Sequence, residues 1–258
     1  MALNQANYIM IRDLLNSFEN YQEIINFNKR IIDEDNIRIK NLLHDELNGI
    51  QQYSKKNLDI IKSIKTSVLG IQDDIMIATY SIGYSIPQFK EAFLDSLSYM
   101  QSAWKKSNGY EQMVRMLSIA ILLDIDQHHF NQLIELVQKD NPNDYLIDTL
   151  IHYHHKNWPI HPDFMFSRPY ALTKEIIELA SIDKTKSLNK LKNYLQKRWY
   201  SGHRDSGWYN SHKSQHNIHS GYWSFESGAL VKILGLDDTS LKDQQYYPYD
   251  LVHYADNQ

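Results

Sequence analysis

Residues 18–50 read FENYQEIINFNKRIIDEDNIRIKNLLHDELNGI, and the order of apolar and charged positions in this stretch decides the fold. Ile24, Ile25, Ile31, Ile32, Ile39, Leu42, Leu43, Leu47 and Ile50 recur at intervals near three, four and seven, with Lys, Arg, Asp and Glu between them. That is the period of one face of an α-helix, so a long amphipathic helix is predicted over 18–50. A stripe of this length must be covered, and the chain supplies covers at once. Leu58, Ile61, Ile64, Val68, Ile71, Ile75 and Ala78 form a second stripe, in which Gly70 is the weak helix former. Phe89, Phe93, Leu97 and Met100 form a third, beginning after Pro87, a residue suited to a first helical turn.

The same period continues downstream. Glu111 to Leu123 is richer in apolar residues than a surface helix needs, which places it between other helices. Asp126 or Asp124 is suited to cap the next helix, whose buried face carries Phe130, Leu133, Ile134 and Val137. Asn141, Pro142 and Asn143 interrupt the pattern. A further helix over about 144–155 leads into NWPIHPDFMFSRPY, residues 157–170, where three prolines enforce an irregular connection. Ile176, Ile177 and Leu179 follow, then Leu188, Leu191, Leu195 and Trp199 on one helical face. Strands are hardly signalled. The expectation is an all-α protein, with a bundle-like N-terminal half, residues 1–110, packed on a helical C-terminal half, residues 111–258.

Composition narrows the function classes. The chain of 258 residues has no cysteine, which removes disulfides, thiol catalysis and thiolate metal sites and fits a reducing compartment. MALNQANYIMIRD has no basic region followed by an apolar core, and no apolar run approaches a membrane span, so a soluble cytoplasmic protein with no membrane partner is expected. The net charge of −4 is mild but uneven. Asp183 to Lys213 holds eight Lys or Arg against two Asp, a net +6, whereas Ser214 to Gln258 holds two Lys against six acids, a net −4. Adjacent segments of opposite sign can pair with each other, and a nucleic-acid binder would carry positive excess over a whole domain, so no nucleic-acid partner is expected.

Catalytic patterns are incomplete. His44 and Asp45 form an HD dipeptide, but no His precedes it to complete a phosphohydrolase metal site. His152, His154, His155 and His161 lack a third ligand fixed by sequence, and His203, His212, His216 and His219 with Asp205 lie in a Ser- and Gly-rich stretch without ligand geometry. SGALV and SGHRD lack the GxSxG turn, and no Gly-rich phosphate cradle occurs. No catalytic residue, metal or cofactor is therefore assigned.

Glu226 is the sharper feature. If Gly221 to Leu234 is one helix, Glu226 falls between Ile233 and Leu230, on the arc of Tyr222, Ala229 and Trp223. A carboxylate on an apolar face needs a partner, with Arg204, His212 or Lys213 as candidates, or it must take up a proton. Gly235 is placed to end that helix and Asp237 or Asp238 to cap the next. Beyond them, Asp243, Tyr246, Tyr247, Tyr249 and Asp250 surround Pro248 in a segment whose polar tips and apolar rings suit packing or a protein interface.

The strings KRWYSGHRDSGWYNSHKS, GYWSFESGALVKILGLDDTSLKD and YYPYDLVHYA together resemble the C-terminal domain of the PoNi family, the immunity proteins that neutralise polymorphic nuclease effectors, PoNe, in bacterial competition. IRDLLNSFENYQEIINFNKRI, DDIMIATYSIGYSIPQFKEAF and MLSIAILLDID resemble the companion N-terminal domain, more through helical pattern than through uncommon residues. The polar insertion QHNIHS before GYWSFE departs from the pattern. The resemblance implies an all-α protein without catalytic activity that binds a cognate DNase toxin and blocks it. On that reading, Asp205, Trp208, Asp238, Asp243, Tyr246, Tyr247 and Asp250 are the candidates for the toxin-facing surface, and Glu226 is a structural buried carboxylate. Two other classes stand beside it. One is a helical metal-dependent hydrolase; the other is an adaptor or scaffold in which the long N-terminal helices self-associate, for example as a homodimer.

Overall fold

The computed structural model describes residues 10–254. The first nine residues, which carry most of the stretch where no leader pattern is expected, and Ala255, which ends the aromatic tail, lie outside them. The protein is all-α, and no strand occurs among the described residues. The chain forms two compact units, one from residues up to Ala103 together with Asn210–Gly221, the other from Trp104–Tyr209 together with residues from Tyr222 onward.

The first unit is built on α1 (Phe18–Leu47), α2 (Asn57–Ser81) and α3 (Ile86–Ala103), with α2 packed against both of the others. Ser17 starts α1 by accepting the Asn20 amide on its hydroxyl at 3.1 Å. Tyr21, Ile24, Ile25 and Ile32 of α1 meet Ile61, Ile64, Val68 and Ile75 of α2 in one apolar core. The stripe predicted over 18–50 does not stay buried to its end. Leu43, Leu47, Ile50 and Leu58 are exposed, Leu47 at 87%. The reason is length, since α3 has 18 residues against 30 and 25 for its neighbours and cannot cover the tip of the α1–α2 hairpin.

In the second unit α4 (Lys106–Leu122) is buried on all sides from Met116 to Leu122. It packs against α5 (Gln127–Asp140), α6 (Tyr145–His154) and α10 (Phe225–Leu234), which is why its sequence has no polar face. Gly228 lets α10 approach closely, because a Cβ there would sit 2.9 Å from Val252 and 3.2 Å from Leu122. Asp126 caps α5 and Asp144 caps α6. The proline-rich connection after α6 is held by two buried aspartates. Asp144 accepts the Met165 amide at 2.8 Å, and Asp148 accepts the Trp158 indole at 2.8 Å and the His161 ring at 2.7 Å. Burial pushes the Asp144 carboxyl up, and its backbone donors oppose that rise. Two helices, α7 (Leu172–Ala180) and α8 (Lys184–Asn193), pack together beyond this connection.

Asn210–Gly221 belongs with the first unit although it is far away in sequence. Here the insertion QHNIHS supplies the anchors. Asn217 donates to the Asn20 carbonyl and to Glu23, both at 2.9 Å, and Ser220 donates to Asp74 at 3.1 Å. His219, buried beside Tyr21, lies 2.9 Å from Asp13 through Nε2 and 2.9 Å from the Ser211 hydroxyl through Nδ1. Removing the ring leaves the Asp13 carboxylate buried without it, a change that costs about 3 kcal/mol. His219→Ala is therefore expected to lower unfolding free energy by about that amount in urea titrations, whereas exposed His216→Ala stays within about 0.5 kcal/mol. Equal stability of the two variants would overturn this account of the segment.

Candidate functional site

The candidate site grows out of α8. This helix does not continue regularly but passes through a π-helical turn, Tyr194–Trp199, into one more turn, α9 (Tyr200–Gly202). The wider i→i+5 turn rotates the register, so Tyr194, Leu195 and Trp199 are all buried. Trp199 then becomes the centre of an aromatic stack. It lies parallel to Trp208 at 5.5 Å and against Tyr246 at 5.0 Å, while Tyr200 stacks on Tyr246 at 5.5 Å and meets Tyr222 at 5.1 Å. Offset and tilted rings at these distances suit the ring quadrupoles and hold a loop that has no regular backbone pairing.

Polar anchors fix that loop. Glu111 at the start of α4 accepts the Ser206 hydroxyl at 2.5 Å and the Trp208 indole at 3.0 Å, one on each carboxylate oxygen. His203 is buried, its Nδ1 2.6 Å from the Trp199 carbonyl and its Nε2 2.8 Å from the Tyr170 hydroxyl. A carbonyl can only accept, so Nδ1 carries a hydrogen and donates it to Trp199. Sequence reasoning missed Glu111, because 95 residues separate it from Ser206 and nothing in its own helix marks it.

The seven candidate residues fall into three places. Trp208 and Tyr246 share the aromatic stack, each partly exposed. Tyr246 has φ of 72°, a left-handed conformation costly for a bulky residue, and its carbonyl accepts the Ser224 amide at 2.8 Å. Asp238 and Tyr247 are buried and bonded to each other at 2.6 Å, with His253 Nε2 2.9 Å from Asp238. Asp237 makes the local turn instead, accepting the Thr239 amide at 3.1 Å and its hydroxyl at 2.5 Å. Asp205, Asp243 and Asp250 are exposed, with Asp205 3.5 Å from Arg168. Arg168, Arg198 and Arg204 line a shallow depression floored by Pro169 and Gly202.

Glu226 lies in the first turn of α10, which begins at Phe225, so Tyr222 and Trp223 are not on its helix as the wheel supposed. It is 4% exposed, and its partners are hydroxyls rather than the cations expected. Tyr194 donates at 3.0 Å and Ser224 at 2.8 Å. Burial raises its carboxyl pKa above the ordinary 4.5, while the Ser224 hydroxyl, the nearby His203 ring and the Tyr194 hydroxyl pull the other way.

No group of three or more His, Cys, Asp or Glu among the described residues is placed to hold a metal ion. His161 is held by Asp148, His155 lies 2.8 Å from Gln127, and His154 packs edge-on against Phe130. His203 sits in the second unit, whereas His212, His216 and His219 sit in the first. No described helix is long and apolar enough to cross a membrane.

A raised folded pKa means that the contribution of Glu226 to stability is fully present below its unfolded value and is lost as pH rises through the folded one. Glu226→Gln keeps an acceptor for both hydroxyls and removes that loss. Thermal melts from pH 4 to 8 are expected to show Glu226→Gln gaining on the native chain as pH rises, and Glu226→Ala losing about 3 kcal/mol at pH 4, a deficit that narrows as pH rises because Ala also lacks the titrating carboxyl. A Gln variant that weakens as pH rises would show that an ionised carboxylate is needed.

Family comparison agrees with this architecture over most of the chain. The family model described as PoNe immunity protein (PoNi), N-terminal, matches residues 12–135, and that described as PoNe immunity proteins (PoNi), C-terminal, matches residues 142–251. The crystal structure of protein PA2201 from Pseudomonas aeruginosa is similar in fold, with a TM-score of 0.59 over 76% of this chain and 75% of that one at 19% identity. No curated protein matches the sequence. With both family domains present in order, the chain belongs to the PoNi family, the immunity proteins of polymorphic nuclease toxins.

Proposed function

We propose that this chain binds a cognate antibacterial DNase toxin directly, in the cytoplasm of the cell that makes it, and blocks the toxin without itself catalysing a reaction. The observation that carries this reading is the match of both PoNi domains over residues 12–251. The site chemistry is compatible with it. Trp208 and Tyr246 leave the aromatic stack partly exposed, and the exposed carboxylates of Asp205 and Asp243 each precede one of these rings by three residues in the chain. A nuclease presents positive charge to phosphate, so carboxylates favour encounter and desolvated rings favour residence.

Of the seven candidates, Asp205, Trp208, Asp243, Tyr246 and Asp250 keep surface to offer a partner. Asp238 and Tyr247 would act through the tail they hold in place. The test is whether a nuclease toxin is encoded beside this gene, and then co-expression with it. Protection of growth, co-purification and stoichiometric suppression of DNA cleavage are expected. Asp243→Lys is expected to slow association severalfold at low salt with no change in melting temperature. Absence of a complex between the purified proteins would remove this reading.

A further inference from the structure

The arginine-lined depression of the second unit has no part in the acidic and aromatic contacts proposed above. It forms where the turn after α8 closes on the proline-rich connection. Gly202 packs on Pro169 so tightly that a Cβ added there would lie 2.6 Å from the Pro169 Cβ. Both residues are buried, and their contact floors a hollow of about 430 Å³. Arg168 immediately precedes this proline and Arg204 lies two residues beyond the glycine, so the same packing sets where both cations start from the backbone. With Arg198 they stand exposed around the hollow.

A basic run alone would be an ordinary solvated face, but here the positive charge is left over in one place. The sequence permits the basic segment 183–213 to pair with the acidic segment that follows it. That pairing is not made, since no Lys or Arg of 183–213 forms an ion pair with a carboxylate of 214–254 among the described residues. Lys186 and Lys190 of α8 find Asp183 and Glu175 instead, at 3.4 Å and 2.8 Å. Arg198 and Arg204 form no ion pair among the described residues. A carboxylate of the chain itself already stands at the rim. Asp205 lies 3.5 Å from the Arg168 guanidinium, with both side chains more than half exposed. So long and solvated a contact holds little free energy, and an incoming carboxylate can join or displace it.

The patch therefore presents guanidiniums and a carboxylate side by side, and a fitting partner presents the same signs reversed. A metal-dependent nuclease does so, because the carboxylates that hold its metal ion stand beside the cations that hold the phosphate. We infer that this depression receives carboxylate side chains of the nuclease toxin, those next to its phosphate-binding face, on Arg168, Arg198 and Arg204. The inference rests on the immunity reading above and adds the cationic half of the contact. A guanidinium binds a carboxylate through two parallel N–H···O bonds, which a lysine ammonium cannot reproduce. DNA is the poorer occupant, because Asp205 would face its phosphates.

Two measurements on the full chain test the depression. In the first, hexa-glutamate peptide is titrated into isotopically labelled protein, with inorganic phosphate and a short DNA duplex in parallel. The side-chain N–H signals of Arg168, Arg198 and Arg204 are expected to shift with hexa-glutamate at concentrations where phosphate and duplex leave them unmoved. The Arg168→Gln, Arg198→Gln, Arg204→Gln triple variant is expected to lose the response in the surrounding backbone. In the second, binding to a cleavage-inactive form of the nuclease encoded beside the gene is measured. The triple variant is expected to bind about a hundredfold more weakly, and the corresponding triple Lys variant about tenfold, with melting temperatures unchanged. Triple Gln variant and native protein binding the nuclease equally would overturn the depression and leave the immunity reading intact. No binding by the native protein would overturn the immunity reading, and the depression's assignment to the toxin with it. Shifts as large with phosphate or duplex as with hexa-glutamate would overturn the carboxylate assignment.

Discussion

A carboxylate taken out of water must be given hydrogen-bond donors or surrender its charge, and this protein buries several. Asp13, Asp144, Asp148, Glu226 and Asp238 are all shielded from solvent. Their donors come largely from segments with little or no regular structure. Met165, Trp158 and His161 serve the two aspartates around α6, His219 serves Asp13, Tyr247 and His253 serve Asp238, and Ser224 with Tyr194 serves Glu226. The helices would form from their apolar stripes alone. The proline-rich connection and the aromatic tail hold one conformation because a buried acid on a neighbouring segment requires them to.

What could be read in the sequence follows from how local each signal is. The α1 and α2 stripes, the cap at Asp126, Pro87 near the start of α3 and Gly235 at the end of α10 all depend on residues within a turn or two of one another. The π-helical turn at Tyr194–Trp199 was not legible, because Leu188, Leu191, Leu195 and Trp199 fit a regular period equally well. Nor was the start of α10, since Tyr222 and Trp223 extend its apolar pattern although the backbone there is not helical. Burial at the hairpin tip was overread for a different reason. Periodicity reports that a face is apolar, and only the length of α3 decides how far that face is covered.

The candidate site divides along the same line. Aspartates 237 and 238 are adjacent in sequence, yet one closes a turn in solvent and the other is enclosed by Tyr247 and His253. No pattern distinguishes them, because the difference lies in where the tail returns.

Asn210–Gly221 gives the fold an uncommon itinerary. The chain leaves its first compact unit after α3, builds most of the second, returns for twelve residues, and leaves again. Asp13 thus waits for His219 across 206 positions of sequence, a closure of high contact order that local helix pairing cannot accelerate. On the ribosome, α1, α2 and α3 can pair as soon as they emerge, but their acid stays without its imidazole until residue 219 has followed. A fragment ending after α3 is for the same reason not a free-standing domain in the thermodynamic sense, since it lacks a piece that its own interior was built around.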